Sequence, residues 1–196
     1  MPDGSSHPGA PERRRLYLIR HASPEIDARV PARQWCLSAQ GRRDAEALGR
    51  RLSLDVARIW SSDEPKALET ATILAAGPGA GTAVHADLRE VAFASGILPQ
   101  AEFRRRVQAY LDGADDPAFE PYEAARQRIM RCLAEICRTD DGDVAVVSHG
   151  RIITVLLSGM LGRRLGGRVW SRIGMPDVTL LDLESGDAVS GFAAGT

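Results

Sequence analysis

The patterned part of the chain begins with Leu16-Tyr17-Leu18-Ile19, an unbroken apolar run of the length expected for a strand buried on both faces. It leads into Arg20-His21-Ala22-Ser23-Pro24, where Pro24 turns the backbone away from helix. Over residues 38–54 the period becomes helical, with Ser38 placed as a cap and Ala45, Leu48 and Leu52 recurring on one side. Residues 56–60 predict a second strand, ending in Ser61-Ser62-Asp63. A helix over 64–76 follows, with Pro65 in its first turn and Gly77-Pro78-Gly79 closing it. Residues 82–85 predict a third strand, which runs into Asp87-Leu88-Arg89-Glu90.

The stretch 91–122 is less regular and reads as an excursion from the sheet, with a helix over 99–112 and a loop from Gly113 to Pro121. Residues 122–138 form an amphipathic helix with Ile129, Leu133 and Ile136 on its apolar side. The run 144–147 is another buried strand, ending in Ser148-His149-Gly150. A helix over 151–161 and a strand over 178–183 complete the pattern. Residues 1–13, polar and rich in proline and glycine, predict a disordered tail, and 14–196 a single domain. This alternation predicts an α/β fold, a three-layer α/β/α sandwich around a largely parallel sheet.

Composition narrows the function classes. Hydrophobic residues at 44% and charged residues at 26% exclude a wholly disordered chain. A formal net charge of -1 gives no global field for nucleic acid or an anionic membrane. No apolar run reaches the roughly 18 residues of a membrane span, and the N-terminus lacks the apolar segment of a secretion signal. Cys36, Cys132 and Cys137 are odd in number and lack metal-ligand spacing, which fits a reducing compartment without disulfides or structural zinc. The expectation is a soluble, cytoplasmic protein. Only one of its 25 basic residues is a lysine, Lys66, which singles that position out.

Three predicted strands run into polar clusters: Arg20-His21, Ser61-Ser62-Asp63 and Ser148-His149-Gly150. Neighbouring parallel strands would bring these clusters to one rim, the usual ligand site of an open α/β sheet. A single histidine after a strand is more often structural; two in equivalent positions, one beside an arginine, argue for a site. Guanidinium matches phosphoryl oxygens with a rigid fork of donors, whereas imidazole is a competent nucleophile when one ring nitrogen is free. A second histidine could stabilise charge on a transferring phosphoryl group. Each arginine could equally be a surface ion-pair partner, since there are 24 of them.

The string LYLIRHASPE resembles the opening signature of the histidine phosphatase superfamily, also called the phosphoglycerate mutase-like family. SSDEPKALETA resembles its second block, and VVSHG the block around its second histidine. The resemblance implies a phosphoglycerate mutase-like fold in which His21 is the nucleophile and carries a transient phosphohistidine. Arg20 and Lys66 would bind phosphoryl oxygens, and His149 would face His21. Glu90 would be the general acid, a role that calls for a raised pKa.

The chain also departs from the commonest pattern. Lys66 stands where arginine is usual, Ala22 where glycine is, and Ser23 and Asp27 where glutamate and asparagine are. Asp27 would bring negative charge towards the substrate, orient the loop or pair with a base. Pro31, Trp35, Leu37-Ser38 and Gly41 resemble a subgroup with the RHAxP form, in which Trp35 either lines the entrance or packs in the core. The 91–122 excursion corresponds to the family's specificity lid, although Arg104, Arg105 and Arg106 cannot all face one ligand from a helix. Ser61 and Ser62 would shape the pocket through backbone contacts.

The implied activity is that of a metal-independent phosphomonoesterase, acting through a phosphohistidine on a small phosphorylated metabolite without a cofactor. A mutase-like phosphotransferase, a protein phosphohistidine phosphatase and an inactive phosphate-binding domain are the alternatives. A monomer and a homodimer are both compatible with the pattern.

Overall fold

A computed structural model describes residues 13–76 and 80–194. The expected tail, apart from its last residue, and the Gly77-Pro78-Gly79 stop lie outside the described residues. The strands are β1 (Arg15–Arg20), β2 (Arg58–Ser61), β3 (Gly81–Val84), β4 (Val144–Ser148), β5 (Asp177–Asp182) and β6 (Ala188–Gly191). They form one sheet in the order β3-β2-β4-β1-β5-β6. The first four in that order are parallel, while β5 runs antiparallel to β1 and β6 to β5. The helices are α1 (Ala39–Arg51), α2 (Pro65–Ala75), α3 (Gln100–Asp112), α4 (Tyr122–Thr139), α5 (Gly150–Met160) and the single turn α6 (Gly167–Trp170).

The pleat distributes the core between two faces. Leu16 and Leu18 of β1, with Val144 and Val146 of β4, pack against Val107, Leu111, Ile129, Leu133 and the apolar run of α5. Tyr17, Ile19, Ala145 and Val147 point the opposite way, against Leu48 of α1 and Ala67, Ala71 and Leu74 of α2. The result is the expected α/β/α sandwich. Its central strand β4 is buried at every residue, which is why it reads as a continuous apolar run.

Local signals set the helix ends. Ser38 caps α1, its Oγ accepting from Gly41 N–H at 2.9 Å, and Pro65 opens α2 where no intrahelical donor is needed. Gly113, at φ 116°, ends α3 in the left-handed region. The helix predicted to Leu54 stops at Arg51, because Leu52 turns extended (φ −95°, ψ 121°) and packs with Leu54 on the second core cluster. The strand β6 and the turn α6 were not anticipated. The apolar periodicity is weak in both, and β6 is almost wholly exposed.

Candidate active site

Register brings the three polar clusters together. Arg20 pairs with Ser148 and Ser61 with Val147, so the residues that follow β1, β4 and β2 emerge side by side at their carboxyl ends. His21 N–H donates to Ser148 O at 2.9 Å and Ser62 N–H to Val147 O at 3.3 Å, extending the ladder into the rim. The rings of His21 and His149 meet edge to face with centroids 5.0 Å apart. Both are buried, His21 at 5% and His149 at 0% exposure.

The His21 ring has a defined proton. Its Nδ1 lies 2.7 Å from Ala22 O, and a carbonyl only accepts, so Nδ1 carries the hydrogen and the lone pair is on Nε2. The segment is pinned around it: Ala22 N–H donates to Thr70 Oγ1, and Ser38 holds Ser23 O through both its N–H and its hydroxyl. Gly41 is required here, since a Cβ at that position would lie 2.1 Å from Ser23 O. Burial, then the neighbouring His149, then Lys66 and Arg20 hold the His21 pKa well below the ordinary imidazole value.

His149 makes its contacts through Nε2, with Ser62 Oγ at 2.7 Å and Glu64 Oε1 at 3.5 Å. Its buried Nδ1 has no hydrogen-bond partner among the described residues. Burial depresses its pKa to about 3, with Glu90 opposing that shift and Lys66, Arg151 and Arg20 reinforcing it. Arg20 packs against Gly150, where a Cβ would come within 3.1 Å of the guanidinium. Its Nη1 donates to Ile173 O at 2.5 Å, whereas its buried Nε has no partner among the described residues. Lys66 is 6% exposed; its Nζ donates to Ala32 O at 2.8 Å and to Glu64 Oε2 at 2.5 Å. The structure therefore gathers His21, His149, Arg20 and Lys66 with donors and one imidazole lone pair uncommitted, a set suited to an oxyanion.

Glu90 lies at the same rim with both carboxylate oxygens engaged. Its Oε1 accepts from Val91 N–H and Ile152 N–H at 2.9 Å each, and its Oε2 faces Arg151 Nε at 3.2 Å. Burial alone would raise the carboxyl, but Arg151, His149 and the two backbone donors outweigh it and hold the pKa down at about 2. Glu90 is thus held in its ionised form in the empty pocket, and the raised pKa that a general acid calls for is left to an anion bound beside it. The loop that carries it is fixed by Ser148 Oγ donating to Leu88 O and by buried Arg128, which donates to Asp87 O, Arg89 O and Glu120.

Other expectations are resolved in less central ways. Asp27 pairs with Arg29 through both carboxylate oxygens at 2.8 Å, and so meets a base on the surface. Trp35 is half-buried; its indole N–H donates to Asp27 O, which makes it a staple of the loop rather than a core residue. Ser62 acts through its hydroxyl on His149, not only through its backbone. In the excursion, Arg104 and Arg105 are exposed, while Arg106 turns to Asp116 (2.6 and 2.8 Å) and the Phe93 ring.

Two residues of the site lie outside the sequence-based expectations, Glu64 and Arg151. Glu64 reads as a helix start, and the signal it carries is a carboxylate two positions from the sole lysine. Arg151 is one arginine among many, and its signal is that it follows His149-Gly150 directly and opens a largely apolar helix. Its guanidinium lies over Phe103 and Phe119 at 5.4 and 5.7 Å, and its buried Nη1 has no partner.

A model of the histidine phosphatase superfamily (branch 1) matches residues 16–190. No curated protein matches the sequence significantly. Among solved structures, YhfR of Bacillus stearothermophilus is similar at a TM-score of 0.73 and 23% identity, over 92% of this chain and 96% of that one. A mycobacterial glucosyl-3-phosphoglycerate phosphatase gives 0.68 and 24%, over 86% and 90%. A phosphoserine phosphatase from Entamoeba histolytica, a mutant in complex with phosphoserine, gives 0.74 and 18%, over 92% and 98%.

Proposed function

The chain belongs to the histidine phosphatase superfamily, branch 1, and from that premise we propose that it is a metal-independent phosphomonoesterase working through a phosphohistidine at His21. The observation that carries the reading is the His21 ring: a buried neutral imidazole whose Nδ1–H is committed to Ala22 O, leaving Nε2 as the nucleophile beside His149 and two fixed cations. Arg20 Nε and a remaining Lys66 N–H bind phosphoryl oxygens, and His149 Nδ1 faces the same group. These groups stabilise the charge that spreads over the equatorial oxygens as phosphorus is transferred.

Glu90 then acts in both half-reactions. Ionised in the free pocket, it is ready as the base that activates water against the phosphohistidine. In the first half-reaction the leaving oxygen needs a proton, which reaches Glu90 with a monoanionic ester. Activity should therefore decline with rising pH as the ester loses its second proton, near pH 6 for a phosphomonoester.

The substrate class is a small phosphorylated metabolite. The similar structures named as phosphatases of phosphoserine and of a glycosylated phosphoglycerate support that reading over a mutase. The test is phosphate release in EDTA from p-nitrophenyl phosphate, phosphoserine, 3-phosphoglycerate, sugar phosphates and a phosphohistidine peptide. Release by wild type and none by His21→Ala is the expected result. Equal release by both proteins would remove His21 as nucleophile, and dependence on added metal would remove the metal-free mechanism.

A further inference from the structure

Glu64 occupies the N-cap position of α2, yet its side chain makes no cap hydrogen bond. Its carboxylate is 8% exposed and turns into the pocket. Oε2 takes the Lys66 ammonium at 2.5 Å, and Oε1 accepts from Glu90 N–H at 2.9 Å and lies 3.5 Å from His149 Nε2. A negative charge inside an anion site works against ligand binding unless it organises the groups that bind. Here it touches two of them.

The lysine gives the carboxylate a reason to be there. An arginine carries its donors in a rigid fork, whereas an ammonium on a four-carbon stem has no built-in direction. With Glu64 Oε2 and Ala32 O taking two of its three donors, Lys66 keeps one donor with a defined aim. His149 supplies the second argument, because its buried Nδ1 has no partner while its Nε2 faces Ser62 and Glu64.

We propose that Glu64 is a positioning residue of the phosphate site: it aims the Lys66 ammonium at the phosphoryl group and provides the counter-charge that lets His149 hold a second proton in the phosphate complex. The inference rests on the phosphatase reading. When a phosphoryl dianion enters, His149 takes one proton from solvent; Nδ1–H then donates to a phosphoryl oxygen and Nε2–H to Ser62 Oγ beside Glu64. No bond to phosphorus forms or breaks in this step. The other charged or titratable groups facing His149 are Arg20 and His21 at the end of β1, Lys66 on α2, Glu90 after β3 and Arg151 on α5. The three cations oppose that proton in the empty pocket, and a dianion offsets them.

The test is calorimetric titration of the full chain with inorganic phosphate at about pH 8, where the ligand is mostly dianionic, in buffers of different ionisation enthalpy. Wild type should take up about one proton per phosphate bound. Glu64→Gln, which keeps the side chain's size and an oxygen for Glu90 N–H, should take up far less and bind about tenfold more weakly. Equal uptake and affinity in the two proteins would overturn the inference. Nitrogen and carbon shifts of His149 in the wild-type complex give a readout independent of the variant's folding, and a neutral ring there would also overturn it. Wild type that shows His21-dependent turnover but no proton uptake removes only the role of Glu64. Wild type that neither binds phosphate nor turns over removes the phosphatase reading as well.

Discussion

The pocket floor and the 91–122 excursion are built by different means. At the floor, charged and polar side chains are buried and held by short bonds, many of them to backbone: His21 by Ala22, Lys66 by Ala32, Glu90 by Val91 and Ile152. The excursion is held by a ring cluster in which Phe119 lies 4.5 Å from Phe93 and 4.6 Å from Tyr110, with Arg106–Asp116 closing it nearer the surface. Buried polar bonds are directional and costly to leave unmade, so the floor specifies atom positions. Ring packing is tolerant in angle and specifies shape and stability. Chemistry is therefore expected to be lost at the floor without unfolding, and stability to be lost in the excursion with a smaller loss of chemistry.

Substitutions at the floor should separate the regions most sharply. His21→Ala is expected to lower kcat by about 10⁴-fold or more, on the scale of removing a catalytic nucleophile, with its Tm near or above wild type because a buried polar ring is gone. Glu90→Gln should lower kcat by about 10²–10⁴-fold for alkyl phosphates. In rapid-mixing measurements the rate of His21 phosphorylation should fall much less for p-nitrophenyl phosphate, whose leaving group needs little protonation, while the discharge of the phosphohistidine should slow equally for both substrates. An equal loss in the phosphorylation step for both substrates would remove Glu90 as the general acid.

The effect in the excursion should be smaller in turnover and larger in stability. Phe119→Ala, at a side chain only 4% exposed, is expected to cost about 3 kcal/mol. Its kcat on p-nitrophenyl phosphate should stay within about tenfold of wild type, measured below its own Tm. A full loss of turnover in the folded variant would erase the distinction between the regions.

Acid should act on the floor in a defined direction. The unfolded chain protonates His21 and His149 near the ordinary value of about 6.5, whereas the folded pocket keeps His21 neutral well below that and His149 neutral to about 3. The unfolded state thus binds more protons, so this contribution to stability is complete above about 6.5 and is lost as pH falls, by up to about 1.4 kcal/mol per pH unit for each ring. Glu90, held at about 2, adds a loss in the same direction once pH drops below its ordinary value. Tm should therefore fall between pH 7 and pH 5; a flat or rising Tm would contradict buried neutral rings. The smallest effect is expected for Arg106→Ala, which removes a partly exposed ion pair screened by solvent, read as a slight shift in denaturation midpoint.

Legibility followed the same division. Alternating apolar runs gave β1, β4, α2 and α4 to within a few residues, because burial on two faces leaves a strong pattern. Arg20, His21 and His149 stand out by residue type and position after strands, Lys66 as the sole lysine and Glu90 through the family resemblance, and the structure gathers all five at one rim. The partners of those residues do not stand out. That Glu64 also reaches Glu90 N–H and His149, that Arg151 sits on Glu90, and that Glu90 is consequently ionised all depend on contacts between segments far apart in sequence. β6 escaped notice because an exposed edge strand carries no burial signal.

The most direct test of the central claim is to mix enzyme with substrate, quench in base, which preserves phosphohistidine, and locate the label by peptide mass spectrometry. The account predicts a phosphate on His21, formed and discharged at rates compatible with turnover and absent from His21→Ala. Turnover without label at His21, or label on another residue that persists in His21→Ala, would contradict it.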